Sequence, residues 1–132
     1  MIKTGIDLVD VKRVESLYKK KNFEKYFLTP YEKESIIRDS GKDAETNEKI
    51  FPYNTLAGLF AAKEAVAKAL GVGFSLGWRY NEIEVRSGEI GAPYIVLNGK
   101  MKERFDAIGG KEISISISHD AGIAAAVCVI AG

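Results

Sequence analysis

Lys63, Glu64 and Lys68 are the only charged residues in the alanine- and leucine-rich stretch Leu56 to Leu70. Glu64 and Lys68 are one helical turn apart, so on a helix they share a face. If that face is solvated, the pair is a staple worth about 0.2–0.5 kcal/mol. The stretch is apolar nearly all round, however, which is the pattern of a buried helix. Ionised groups on a buried helix are usually paired, ligated or used in chemistry. Asp7 offers a second carboxylate, in the apolar run Thr4-Gly5-Ile6-Asp7-Leu8-Val9 just ahead of a helix. Taken alone it reads as a carboxylate with a capping role. Together with Glu64 it could hold a hard cation such as Mg²⁺, which keeps waters and phosphate ligands beside one or two carboxylates. No spacing rule brings Asp7 to Glu64, and both readings stand.

Other residues of chemical interest carry weaker signals. His119 is the only histidine; it ends a strand and enters the turn His119-Asp120-Ala121-Gly122, where a structural role is the more ordinary one. The serines of Ile113 to Ser118 read as the polar face of a strand. Lys19-Lys20-Lys21, with Lys12, Arg13 and Lys25, forms either a solvated face or a dock for an acidic partner. No nucleophile elbow, phosphate-binding loop, dinucleotide fingerprint or zinc spacing is present.

The elements that must position these groups can be read from caps and periodicity. Thr4 to Val9 is expected as a strand, and Asp10 caps a helix carrying Val11, Val14, Leu17 and Tyr18 at helical spacing. Phe23, Tyr26, Phe27 and Leu28 make a second apolar group. Thr29-Pro30 with Glu32 has the form of a capping box and opens a helix expected from about Pro30 to Asp39. Ser40 to Glu48 is polar and unpatterned and is expected as a mobile loop. The helix Leu56 to Leu70 is expected to be capped by Asn54 or Thr55 and stopped by Gly71. Glu82 to Arg86 alternates as a strand, Ser87 to Pro93 turns, and Tyr94 to Leu97 returns. Met101 to Ile108 is expected as a short helix ended by Gly109-Gly110. Ile113 to Ser118 and Ile123 to Ile130 complete a strand pair. Helices come first and antiparallel strands last, which makes the class α+β: an N-terminal strand and helices packed on a mostly antiparallel sheet.

At 132 residues the chain has the size of one domain, spanning residues 1–132. Hydrophobic residues at 46% and charged residues at 28% exclude a disordered or fibrous profile. The longest apolar run, Ala121 to Ala131, is too short to span a bilayer, and the first ten residues do not read as a signal peptide. Cys128 is the only cysteine, so no internal disulfide forms, and an intracellular, cytoplasmic setting is expected. A net charge of +1 is too near neutral for a dedicated nucleic-acid binder. Neither nucleic acid nor membrane is expected as a partner.

Taken in order, five short pieces resemble the holo-acyl-carrier-protein synthases, the small phosphopantetheinyl transferases. They are Gly5-Ile6-Asp7-Leu8-Val9 with Lys12-Arg13-Val14; Leu28-Thr29 with Glu32; Phe60-Ala61-Ala62-Lys63-Glu64-Ala65 continuing through Lys68-Ala69-Leu70-Gly71; Gly91-Ala92-Pro93-Tyr94; and Ser116-Ile117-Ser118-His119-Asp120. The resemblance implies transfer of the 4′-phosphopantetheine arm from coenzyme A to a serine of apo acyl carrier protein, with release of adenosine 3′,5′-bisphosphate, in support of fatty acid biosynthesis. It implies Asp7 and Glu64 as ligands of Mg²⁺, and Glu64 or a metal-bound water as the base for the serine. It implies Lys68 as a counter-charge for the departing phosphate. Lys63 and Gly71 would help bind coenzyme A, and Ser118 and His119 would lie near its nucleotide end. Arg13, Lys20 and Lys21, on and after the basic first helix, would receive the acidic carrier. A homotrimer with active sites between subunits is implied as well. Leu59 departs from the pattern, standing where many relatives carry a basic residue. Two other readings compete: a non-catalytic module that binds coenzyme A or a nucleotide, and a structural subunit in which Glu64 and Lys68 are only a staple.

Overall fold

The computed structural model describes residues 1–73 and 77–132. Strand β1 (Ile2–Asp10) leads directly into helix α1 (Val11–Tyr18), where the Asp10 side chain accepts from the Lys12 amide as the cap. A short helix α2 (Phe23–Phe27) follows, then α3 (Pro30–Asp39). At the start of α3 the capping box forms in full: Thr29 accepts from the Glu32 amide and Glu32 accepts from the Thr29 amide. The long helix α4 (Tyr53–Leu70) ends on Gly71 in the left-handed conformation at φ 70°. Its start differs from expectation, because neither Asn54 nor Thr55 caps it; the helix begins at Tyr53 after Pro52, without a side-chain cap. The rings of Tyr53, Phe51 and Tyr18 pack together there, with Phe51 and Tyr53 centroids 4.6 Å apart, and this packing sets the start instead.

Three strands form the main sheet in the order β1–β7–β6, with β6 (Glu112–Asp120) and β7 (Ile123–Ala131) both antiparallel to their neighbours. β4 (Ile83–Ser87) and β5 (Pro93–Leu97) form a separate antiparallel pair, and α5 (Gly99–Ala107) leads from them to β6. His119 and Asp120 belong to β6 rather than to the turn. The turn is the two residues Ala121 and Gly122, both at positive φ, as a tight hairpin between twisted strands requires. Ser40 to Glu48 is not the loop expected: a small hairpin, β2 (Gly41–Lys42) with β3 (Lys49–Ile50), occupies it, and Asp43 accepts the amides of Glu45 and Thr46 in its turn. Asp43 and Thr46 are side chains that close turns on themselves, which explains why an unpatterned polar segment is ordered.

One face of the main sheet is covered by α4. Val9, Ala124, Ala126, Cys128 and Ile130 point inward and are buried with Leu56, Ala61, Ala65, Val66 and Leu70. Each fully buried leucine or valine contributes about 1.5–3 kcal/mol of transfer free energy. The approach is closest at Gly5, where an added Cβ would lie 1.9 Å from the Ala65 carbonyl oxygen and 2.6 Å from the Ala69 amide nitrogen. Only hydrogen fits between strand and helix there, so Gly5 sets the distance at which the next inward residue, Asp7, meets α4. The opposite face of the sheet is uncovered and apolar: Ile2, Ile6, Leu8, Val127 and Val129 are exposed, Leu8 to 67%.

Candidate active site

Asp7 and Glu64 line one cleft of about 280 Å³, together with Arg13, Leu17, Phe23, Phe60 and Tyr80. Strand alternation turns Asp7 inward toward α4, between the outward-facing Ile6 and Leu8. Glu64 is on the side of α4 that borders β1, half-buried, and accepts a hydrogen bond from the Tyr80 hydroxyl. Lys68, one turn further along α4, donates to the Ile6 carbonyl at 2.9 Å and stands 3.2 Å from Asp7 Oδ1. The Glu64–Lys68 staple therefore gives way to a Lys68–Asp7 pair. Lys68 is half exposed, so this pair is worth at most about 1 kcal/mol and leaves the ammonium able to exchange partners. The two carboxylates, far apart in sequence, border the same cleft.

Lys63 does not join them. Its side chain is fully buried and turned away from the cleft, with Nζ 2.7 Å from Glu32 Oε1, donating to the Phe27 carbonyl and lying 4.5 Å from the Phe27 ring centre. The expected contribution of Lys63 to coenzyme A binding is thus corrected: adjacent residues on a helix diverge by about 100°, and here Glu64 faces the cleft while Lys63 faces the core. Burial holds the Lys63 ammonium below the ordinary lysine value, opposed by the Glu32 carboxylate and, further off, by Glu84. Glu32 also accepts the Thr29 amide at 3.0 Å and the Val85 amide at 2.8 Å, so one carboxylate ties the α3 cap, α4 and β4 together.

Tyr80 was given no role by sequence reasoning. It opens a single 3₁₀ turn, Tyr80–Glu82, and its ring packs against Trp78, Phe27 and Phe60 with centroids 5.1, 5.4 and 5.7 Å away. Burial, followed by the hydrogen bond to Glu64, pushes its hydroxyl well above the ordinary tyrosine value, while Arg13 pulls the other way. It stays a hydrogen-bond donor at any working pH. Arg13 is exposed and lines this same cleft, whereas Lys20 and Lys21 are exposed in the turn after α1.

Gly71 lines a second, basic cleft at the C-terminal end of α4 with Lys3, Lys68 and Arg104, and Arg104 donates to the Leu70 carbonyl at 3.0 Å. Lys3 and Arg104 are cations that sequence reasoning passed over; both are remote from the motif helix in sequence. His119 lies elsewhere. Its Nε2 is 2.7 Å from the Asn54 carbonyl oxygen, and since a carbonyl only accepts, that nitrogen carries the proton. Its ring packs on Gly58, where an added Cβ would come within 3.1 Å, and it lines a cleft of about 260 Å³ with Thr55, Leu59, Gly91 and Pro93. Ser118 faces the other way: successive strand residues alternate, so it is on the exposed outer face of the sheet beside Ala125. Asp7 and His119 are on opposite edge strands of the sheet, β1 and β6, and His119 lies two residues beyond Ile117, the residue across β7 from Asp7.

The chain is similar to known proteins over nearly its whole length. The model of the 4′-phosphopantetheinyl transferase superfamily matches residues 3–128. A holo-[acyl-carrier-protein] synthase of Solidesulfovibrio magneticus is 37% identical over 130 residues, covering 97% of this chain and 96% of that protein. Another from Nitratiruptor sp. is 42% identical over 132 residues, covering 96% of each. Among solved structures, Helicobacter pylori holo-[acyl-carrier-protein] synthase in complex with coenzyme A superposes with a TM-score of 0.76 at 35% identity, covering 99% of this chain and 100% of that one. The Neisseria meningitidis synthase superposes at 0.81 with 27% identity and full coverage of both chains.

Proposed function

The chain belongs to the 4′-phosphopantetheinyl transferase superfamily, and from that membership we propose that it transfers the 4′-phosphopantetheine arm of coenzyme A to a serine of apo acyl carrier protein. The observation that carries this reading is the convergence of Asp7, Glu64 and Lys68 on one strand–helix junction beside an open cleft. The carrier serine oxygen forms a bond to the phosphorus that bears the pantetheine arm. The bond from that phosphorus to the bridging oxygen breaks, and adenosine 3′,5′-bisphosphate leaves. Glu64 takes the serine proton, and Lys68 exchanges Asp7 for the charge gathering on the departing phosphate.

The donor set fits Mg²⁺. Asp7 and Glu64 supply two hard oxygen ligands at a solvent-open cleft. That is the composition expected where substrate phosphates and water complete the shell. Bound by these two carboxylates, Mg²⁺ would supply charge neutralisation on the diphosphate. Arg13, Lys20 and Lys21 would receive the acidic carrier, with Arg13 closest to the reacting groups. His119 and its cleft would take the nucleotide end of coenzyme A, and Gly71 with its basic neighbours would favour phosphate. The setting is the cytoplasm and the role the supply of carrier to fatty acid biosynthesis. No helix among the described residues is long and apolar enough to cross a membrane.

Incubation with coenzyme A, Mg²⁺ and apo carrier adds the mass of the arm to the carrier; chelator stops the reaction and Mg²⁺ restores it. Coenzyme A binding without metal-dependent transfer would instead support a binding module.

A homotrimer with shared sites is supported by two features of the sheet. Its outer face exposes Ile2, Ile6, Leu8, Val127 and Val129, an apolar surface that a lone chain would leave in water. Asp7 and His119 lie on opposite edges, so one coenzyme would bridge Asp7 of one subunit and His119 of the next. Sedimentation is expected to give three times the 14.5 kDa chain mass. Leu8→Lys with Ile6→Lys should reduce both mass and activity, and a fully active monomer would contradict the reading.

A further inference from the structure

We propose that Tyr80 is a positioning residue for Glu64: its hydroxyl donates to one carboxylate oxygen and fixes the orientation of that side chain at the cleft. This rests on the transferase reading, in which Glu64 serves the cation and the serine. A glutamate in the middle of a helix has three rotatable side-chain bonds, and Glu64 is only half-buried, so packing alone does not select one rotamer. The Tyr80 hydroxyl supplies the missing constraint. It is itself held rigidly, since the ring packs against Trp78, Phe27 and Phe60. The turn that carries it is pinned at both ends: the Arg79 amide donates to Glu82 Oε2 at 3.3 Å, and the Asn98 amide to the Glu82 carbonyl at 2.8 Å.

A neutral donor suits this position. A cation bonded to Glu64 would compete with a divalent ion for the same oxygens, whereas a phenol satisfies one oxygen and leaves the charge in place. Partners of this kind behind a metal ligand are worth about 10–100-fold in affinity or activity. Arg13 and Asp7 border the same cleft and complete its polar side.

Tyr80→Phe keeps the ring among its neighbours and removes only the hydroxyl. In the carrier-modification assay the variant is expected to lose about tenfold or more in kcat with the KM for coenzyme A nearly unchanged. Its affinity for Mn²⁺, followed by electron paramagnetic resonance on the metal alone, should fall by a similar factor. A purely structural tie between the 3₁₀ turn and α4 would move the unfolding midpoint and leave both readouts at wild-type values; that result overturns the proposal. Should the wild-type protein transfer no arm, the transferase reading fails, and the Mn²⁺ comparison alone judges Tyr80. A wild-type protein that neither transfers nor binds Mn²⁺ overturns both.

Discussion

Replacing Glu64 with glutamine lowers the rate of carrier modification by about 10³-fold while the protein stays folded. Glutamine keeps the shape of the side chain and an oxygen able to accept from the Tyr80 hydroxyl, so the contacts that hold this part of α4 survive. What disappears is the negative charge, and with it both the hold on a divalent cation and the ability to take a proton that the proposed mechanism assigns to Glu64. Asp7→Asn makes the same separation from the strand side. It gives up the ion pair with Lys68, which is half exposed and worth at most about 1 kcal/mol, so stability should change little. The Asp7 variant should also require a higher Mg²⁺ concentration for its residual rate, since one of the two proposed protein ligands is gone. Transfer rates on apo carrier, set beside urea unfolding of the same preparations, check both halves of the expectation. Glu64→Gln at more than about a tenth of wild-type activity would mean that the carboxylate neither binds the cation nor accepts the serine proton.

The separation of activity from stability is built into the architecture. The carboxylates stand at the border of α4 beside β1, at the rim of the buried layer that this helix forms with the sheet. Gly5 makes that junction possible: with a hydrogen in place of a side chain, β1 comes close enough for its next inward residue to reach the helix. From there the site needs only the cleft between α1, the 3₁₀ turn and α4 to admit a substrate.

Much of this was legible in the sequence where a local rule applied. Asp10, the Thr29–Glu32 capping box and Gly71 fix helix ends through hydrogen bonds between near neighbours, and each end lies where its signal placed it. The alternation of Ile113 to Ser118 set the facing of β6 for the same reason. The failures came where distant contacts decide. The start of α4 follows ring packing with Tyr18 on another helix, and no local cap reports that. Glu32 was readable as a capping residue, but a carboxylate has a second oxygen, and its use by Val85 and the pairing with Lys63 depend on the folded chain. Nothing in the sequence says which of two adjacent charges, Lys63 or Glu64, turns inward. Tyr80 carried no signal at all, because its role comes from a hydroxyl position that three rings define. The match of Asp7 to Glu64 came from motif order and not from spacing, and only the register of β1 on α4 gives it a physical cause.

The Lys63–Glu32 pair is where a single substitution should damage the fold most. Lys63→Met leaves the Glu32 carboxylate fully buried with two backbone amides and no cation, and removing one partner of a buried pair costs about 3–5 kcal/mol. Against a total stability of about 5–15 kcal/mol, that is a large fraction. Methionine fills much of the lysine volume and keeps the stem against Phe27, so the loss reports the charge rather than a cavity. Glu32→Gln should be costly as well, since it strands the ammonium beside the Phe27 carbonyl and ring. The double variant, with neither charge, should recover a substantial part of the loss, because two neutral groups owe each other nothing. Urea unfolding of the four proteins measures the coupling. Activity of Lys63→Met, assayed at low temperature where it remains folded, should show an unchanged KM for coenzyme A. A raised KM with undiminished stability would restore Lys63 to the phosphate-binding role that the family resemblance implied, and would mean that the side chain leaves the core when substrate arrives.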